Sequence, residues 1–322
     1  MEIFNLTLTQ MLMMFSFMLC GFAARKTKIV PESAEFVLSR IETYIFCSGI
    51  TLYSMINNCT VENFVQNSSL ILYGGLTVLG ALLIAYPLSI LFQPDHKENA
   101  VAAYKRNIYK YALTFGNYGY IGNFLILGIF GSEALFYYSM FNMIPSLIST
   151  GWGIYVLVPK DENESLLKNM IKGLRTLPVI SLFVGIILGF LNIKAYLPDF
   201  CLSLLEHCAN CYGPTAMLLA GISIGGYNIK NLITEKKTYI VAFLRLILLP
   251  SIIVLIYKLF GIDDSITLNA LIAFSTPMGL GLIVFPAAYG ADTKVGASMV
   301  LVSSVLATIT IPLMYLVHMV WF

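Results

Sequence analysis

"FGNYGYIGNF" (residues 115–124) sets three glycines and two asparagines in the middle of a long apolar run. Both residue types weaken a helix, glycine through its backbone freedom and asparagine through competing side-chain hydrogen bonds. In hydrocarbon every freed N–H and C=O needs a partner, so a break is tolerated only where protein or a water-filled cavity receives those groups. The stretch reads as an interruption of a membrane helix.

Composition sets the context for that break. The chain has 322 residues, 58% hydrophobic and 11% charged, too few polar side chains to clothe the core of a soluble protein. Runs of about 20 apolar residues, the length that crosses roughly 30 Å of hydrocarbon, recur along the chain. They predict ten spans at 5–24, 34–56, 68–92, 100–130, 133–158, 176–192, 198–225, 237–260, 265–290 and 295–321. The longest polar link, "PKDENESLLKNMIKGLR" (159–175), is too short for a folded module. The expected organisation is therefore a first five-span unit over 1–158, a cytoplasmic linker over 159–175 and a second unit over 176–322.

Basic residues orient the spans, because Lys and Arg are retained on the cytoplasmic side of short loops. With both termini outside, all 19 Lys and Arg residues except Lys194 and Lys258 fall on the inner side. The first span does not read as a cleaved signal peptide, since Glu2 precedes it and "RKTK" follows it. The expected location is the plasma membrane.

A shift of 159 residues brings the opening stretch onto a second interrupted span. "FGNYGYIGNFLILGIFGSEALFYYSM" (115–140) aligns without a gap on "FSTPMGLGLIVFPAAYGADTKVGASM" (274–299), matching Phe115 with Phe274, Gly122 with Gly281 and Gly131 with Gly290. The fourth span thus pairs with the ninth. Five spans per half force the second half to enter from the opposite side, which is an inverted repeat. In secondary carriers such repeats place substrate where discontinuous helices of the two halves meet near the midplane. The expected fold is all-α, with helices 4 and 9 broken and crossing there.

Local chemistry at the two breaks follows the same logic. Thr276 is an expected N-cap with Pro277 at the first helical position, where a missing N–H costs nothing. Asn117 is the corresponding N-cap, with Gly116 and Gly119 permitting unusual backbone angles. Two half-helix N-termini, each carrying about half a positive charge, favour an anionic group. The C-termini of the preceding half-helices oppose this, and suit a cation or proton. The bland alternative is a kinked helix whose glycines only allow close packing. The expected substrate set is Gly116, Asn117, Gly119, Asn142, Ser275, Thr276 and Pro277, with Ser146, Ser303 and Thr308 as weaker candidates.

Three ionisable residues inside spans are candidates for coupling or charge recognition, because burial of such groups is expensive. Glu206 and His207 point about 100° apart on one helix, so they cannot both face one partner. Either lines water near an outer vestibule or carries a proton. Arg245, roughly two turns into the eighth span, either snorkels to the inner interface, the favoured reading, or binds a carboxylate bidentately. "EHCANC" (206–211) has metal-like spacing, yet cysteines in an apolar span are expected as packing residues, and no metal is assigned.

The pattern "FGNYGYIGNFLILGIFGSEAL", together with "TPMGLGLIVFPAAYGADTKVGASMVLVSSVLATITIP" (276–312), resembles the auxin efflux carrier family in its bacterial form. Its fourth helix carries Gly-Asn-x-Gly-Phe-x-Gly-x-Pro. The resemblance implies a ten-helix carrier of two inverted repeats, with substrate beside the crossing of helices 4 and 9 and a transport domain moving against helices 1, 2, 6 and 7. Bacterial members are associated with organic anions such as malonate and malate, plant members with auxin. Asn117 and Pro277 match the family residues at the two breaks. Phe124 stands where the family has proline, and Gly281 where it often has a polar residue, so the usual specificity does not transfer directly.

The sequence thus points to a carrier of a small mono- or dicarboxylate, with a proton or sodium ion for coupling, the bilayer as its surroundings and a homodimer left open. No cofactor or nucleic acid is expected. A rival is a membrane receptor that binds a carboxylate without turnover. An enzyme is disfavoured, since the chain has neither a phosphate-cradling Gly-Lys-Ser/Thr loop nor a His-Glu-x-x-His pair.

Overall fold

Long apolar runs fold in a bilayer as helices because a helix satisfies its own backbone. In the computed structural model, which describes residues 2–157, 175–288 and 292–321, the chain is mostly helical and no strand occurs among the described residues. The order is α1 (Glu2–Lys26), α2 (Ala34–Ile41), α3 (Cys47–Asn58), α4 (Val61–Gln66), α5 (Ser68–Phe92), α6 (Ala100–Thr114), α7 (Asn123–Phe141) and α8 (Met143–Leu157). After the linker come α9 (Leu177–Phe190), α10 (Asp199–Gly225), α11 (Ile229–Ile233), α12 (Lys236–Phe243), α13 (Leu249–Leu259), α14 (Asp264–Ser275), α15 (Gly281–Ala288) and α16 (Lys294–Trp321). The linker expected over 159–175 lies outside the described residues except for Arg175, as do Gly290 and the inner-side Lys160, Lys168 and Lys172.

Among the described residues five stretches are long and apolar enough to cross a membrane: Phe4–Lys26, Ser68–Phe92, Tyr118–Phe141, Lys236–Leu259 and Lys294–Val320. Met143–Leu157 and Leu177–Phe190 are shorter apolar helices. Leu83, Leu91 and Leu259 are each at least 75% exposed, a cost in water that a lipid surround removes. The protein is multi-pass.

Three π-turns interrupt the helices: Glu42–Phe46 between α2 and α3, Tyr118–Gly122 before α7, and Leu244–Leu248 between α12 and α13. Such bulges recur at functional positions. Two of these turn an ionisable residue wholly inward, for Glu42 and Arg245 are both 0% exposed.

Small residues set the closest helix contacts. α1 lies along α10 with Gly21 against the Leu218 carbonyl and Gly221 against the Met18 carbonyl; an added Cβ would sit 2.2 Å and 2.0 Å from those oxygens. α3 packs on both α9 and α10, so α1, α2–α3, α9 and α10 form one packed group.

Within α7, Gly131 has φ 82° and ψ −173°, where two helices meet across a kink. That region of backbone space is essentially restricted to glycine, and forcing another residue there costs about 1–3 kcal/mol. Nothing lies within 4 Å of a Cβ built on Gly131. Gly131→Ala is therefore expected to lower the thermal midpoint of the detergent-solubilised protein through backbone strain alone.

Candidate functional site

The break at 115–117 and the break at 276–280 meet. α6 stops at Thr114 because Phe115 turns extended (φ −110°, ψ 125°), and α14 stops at Ser275 because Thr276 does the same (φ −62°, ψ 149°). The two extended segments pair antiparallel through Gly116 and Met278. Asn117 N donates to Pro277 O at 2.6 Å, and Gly279 N to Phe115 O at 3.4 Å. Met278 N donates to Ser303 Oγ of α16 at 3.0 Å. Pro277 has no N–H to satisfy. This pairing satisfies part of the backbone that an interrupted helix frees in a low-dielectric medium.

Gly116 lets the segments approach. A Cβ there would lie 2.3 Å from Thr276 Oγ1, 2.5 Å from Arg245 Nη2 and 3.1 Å from Ala273 O. Gly119 is different, facing α10, where a Cβ would meet only the Tyr212 hydroxyl at 3.6 Å.

Several expected details change. Thr276 is the C-cap of α14, not the N-cap of the next helix, and its Oγ1 donates back to Ala273 O at 2.8 Å. Pro277 lies in the extended segment, since α15 begins only at Gly281. The physical reason is the antiparallel pairing, which needs residues 276–279 extended before a helix can restart. Asn117 does precede the π-turn Tyr118–Gly122 as its N-cap, but its side chain makes no cap bond. Its carbonyl O accepts from Ile121 N and Gly122 N at 3.0 and 3.2 Å, leaving the side chain free for other work.

Arg245 overturns the snorkelling expectation. The π-turn Leu244–Leu248 aims it into the protein, where it donates from Nη1 to Phe274 O and from Nη2 to Ala273 O, the latter at 3.4 Å. The guanidinium lies 4.7 Å from the centre of the Phe274 ring, an attractive arrangement for a cation. Tyr118 and Tyr138 are its other electrostatic neighbours. Among the described residues the ion pair found is Arg25 with Glu32, so no carboxylate neutralises Arg245.

Unpaired polar atoms occur on the elements that flank the breaks. Asn117 Oδ1, Ser275 Oγ, Arg245 Nε and Asn142 Oδ1 are all buried without a hydrogen-bond partner. Asn142 Nδ2 donates to Tyr138 O at 2.9 Å, and the Tyr138 hydroxyl to Tyr118 O at 3.3 Å. Asn142 is thereby tied to the π-turn after the break. Orphaned buried polar atoms are costly, about 1–3 kcal/mol each.

The other candidates lie elsewhere. Glu206 lines an open cavity of about 390 Å³ together with Gln10, Tyr53, Phe124, Ser132 and Asn210, and His207 is exposed. Cys208 packs on Gly49, whose Cβ would be 2.4 Å from the Cys208 Cβ. Among the described residues no group of three His, Cys, Asp or Glu side chains converges. Thr308 bonds Ser304 O of its own helix at 3.2 Å.

The two departures from the family motif find physical counterparts. Phe124 packs on Gly213 of α10, where a Cβ would lie 2.0 Å from the ring. At Gly281 a Cβ would lie 2.4 Å from the Tyr111 hydroxyl. That hydroxyl, also 2.9 Å from Ser149 Oγ, occupies the room a polar side chain at 281 would take. Tyr111, Tyr118 and Tyr138 are not legible as neighbours of the crossing, because tyrosine in an apolar span reads as packing.

Comparison with known proteins agrees with this architecture. Residues 6–315 match the family described as membrane transport protein. An uncharacterized transporter of Methanocaldococcus jannaschii is 24% identical over 301 residues, covering 92% of this chain and 93% of that protein. With nearly its whole length matched, the chain belongs to the auxin efflux carrier family of membrane transport proteins.

Proposed function

We propose that the protein carries a small organic anion, a mono- or dicarboxylate, across the plasma membrane by alternating access around the crossing of the two broken segments. In this reading it has ten spans in two inverted five-helix repeats, both termini outside, and a proton or sodium ion as coupling partner. The antiparallel pairing of Gly116 with Met278 supports the repeat, since segments related by inversion run in opposite directions where they meet.

The observation that carries the substrate class is Arg245. Its guanidinium sits on the last carbonyls of α14, which hold about half a negative charge. A full positive charge there outweighs them and leaves the crossing net positive. Isolated buried charges are expensive, so an anion arriving beside Arg245 gains much of what burial took away. Asn117 Oδ1 cannot hydrogen-bond a carboxylate, but its Nδ2 can donate to one.

The test is uptake of a labelled organic-acid panel by the purified protein in liposomes. Saturable uptake is expected, with Asn117→Ala weakening it by about tenfold, the equivalent of ~1.4 kcal/mol for a lost neutral hydrogen bond. Tight binding without uptake under imposed voltage and ion gradients replaces the carrier with a receptor.

A further inference from the structure

The crossing does not account for the other wholly buried ionisable residue, Glu42. The π-turn Glu42–Phe46 directs its carboxyl against α10, where Oε2 contacts Thr215 Oγ1. Oε1 is buried with no partner. Cys47, Tyr212 and Tyr120 are its electrostatic neighbours. The Tyr120 and Tyr212 rings stack with centroids 5.3 Å apart, and Tyr120 bonds Thr43. α9, which also packs on this turn, brings no titratable side chain. Arg40, two residues before Glu42, is turned away with its guanidinium 4.6 Å from the Phe36 ring. No cation faces the carboxyl among the described residues.

Thr215 does little to neutralise the carboxyl. Its hydroxyl has one hydrogen but three acceptor neighbours: Cys211 O at 2.7 Å, Tyr212 O at 3.2 Å and Glu42 Oε2. Thr215 Oγ1 donates to Glu42 Oε2 and shares its one hydrogen with two carbonyls, so it gives the carboxyl at most one hydrogen bond and leaves Oε1 with none. A neutral acid is what a buried carboxyl with one shared hydrogen bond and no cation requires.

We propose that Glu42 is a proton-binding site of this carrier, protonated while α2, α10 and the π-turn at Tyr118–Gly122 pack together as described. When that packing opens to water the acid gives its proton to water, and a carboxylate re-enters only after taking one back. Because Tyr120 belongs to the turn that follows the 115–117 break, movement of the broken helix and the protonation of Glu42 are linked. The linkage to transport rests on the carrier reading above; the protonation does not.

Infrared difference spectra of the full chain in lipid, taken across a pH series, read the protonation directly. The wild type is expected to show a carboxylic-acid C=O band that Glu42→Gln removes. Thr215→Val, which leaves the acid in place but takes away its partner, is expected to shift that band and serves if Glu42→Gln does not fold. In liposomes, Glu42→Gln is expected to keep substrate exchange while losing the response of accumulation to an imposed pH gradient. The proposal is overturned by a wild-type spectrum without the band, by a band unchanged in Glu42→Gln, by a band that follows sodium at fixed pH, or by an intact gradient response in the variant. Absence of any wild-type uptake overturns the carrier reading and the coupling with it, while the infrared band still decides proton binding.

Discussion

Arg245→Gln is expected to reduce uptake of an organic anion by roughly two orders of magnitude, the scale of 2–5 kcal/mol lost when one partner of a buried charged contact is removed. The substitution is chosen because an amide still donates to a carbonyl, so Phe274 O and Ala273 O need not both be orphaned. Arg245→Ala would confound the two effects, since each abandoned carbonyl costs about 1–3 kcal/mol of stability. Arg245→Lys keeps the charge but not the planar fork, and a single ammonium cannot reproduce the two-carbonyl geometry. It is expected to fall between wild type and Arg245→Gln in apparent affinity. Concentration-dependent initial rates in liposomes, with thermal midpoints alongside, separate binding from folding. Uptake that survives Arg245→Gln unchanged would falsify the assignment of the positive charge to substrate.

Gly116→Ala is expected to abolish transport, whereas Gly119→Ala is expected to leave it nearly intact. Both glycines belong to one motif, yet their surroundings differ. A methyl at 116 would sit 2.3 Å from Thr276 Oγ1 and 2.5 Å from Arg245 Nη2, and one at 119 would make an ordinary 3.6 Å contact with the Tyr212 hydroxyl. Relieving the first clash means separating the paired segments or moving the guanidinium, at an overpacking cost of about 1–3 kcal/mol. The measurement is parallel uptake by the two variants, with equal expression and monodispersity as the control. Equal loss in both would indicate that the glycines act through helix flexibility and not through the crossing.

The two breaks show how far local sequence reaches. Glycine at 116 and proline at 277 forecast where the helices stop, because each acts on its own backbone. The expected N-cap role of Thr276 falls on the wrong side of the break, for it closes the preceding helix. Thr276 is equally suited to a cap before a helix or to a back-bonded turn after one, and only the antiparallel partner at 115–117 selects the second.

Arg245 and Glu42 mark the limit from the other direction. A long cationic side chain two turns into a span has the same sequence signature whether it snorkels or turns inward. The choice depends on a π-turn, which shifts the helix face beyond it, and on carbonyls nearly thirty residues away. Glu42 lies inside the span expected over 34–56 and draws no reading until its own π-turn sets it against α10. Ser303 is similar, one hydroxyl among several in α16 until Met278 N is found beside it.

By itself the sequence determined the membrane class and the places of both interruptions, because hydrocarbon thickness and the backbone's own hydrogen bonding act on contiguous residues. Tertiary structure alone decided what converges on the interruptions. Arg245 and Ser303 come from helices remote in the chain from the segments they bond, and the direction of each buried polar side chain is set by neighbours that no local pattern encodes.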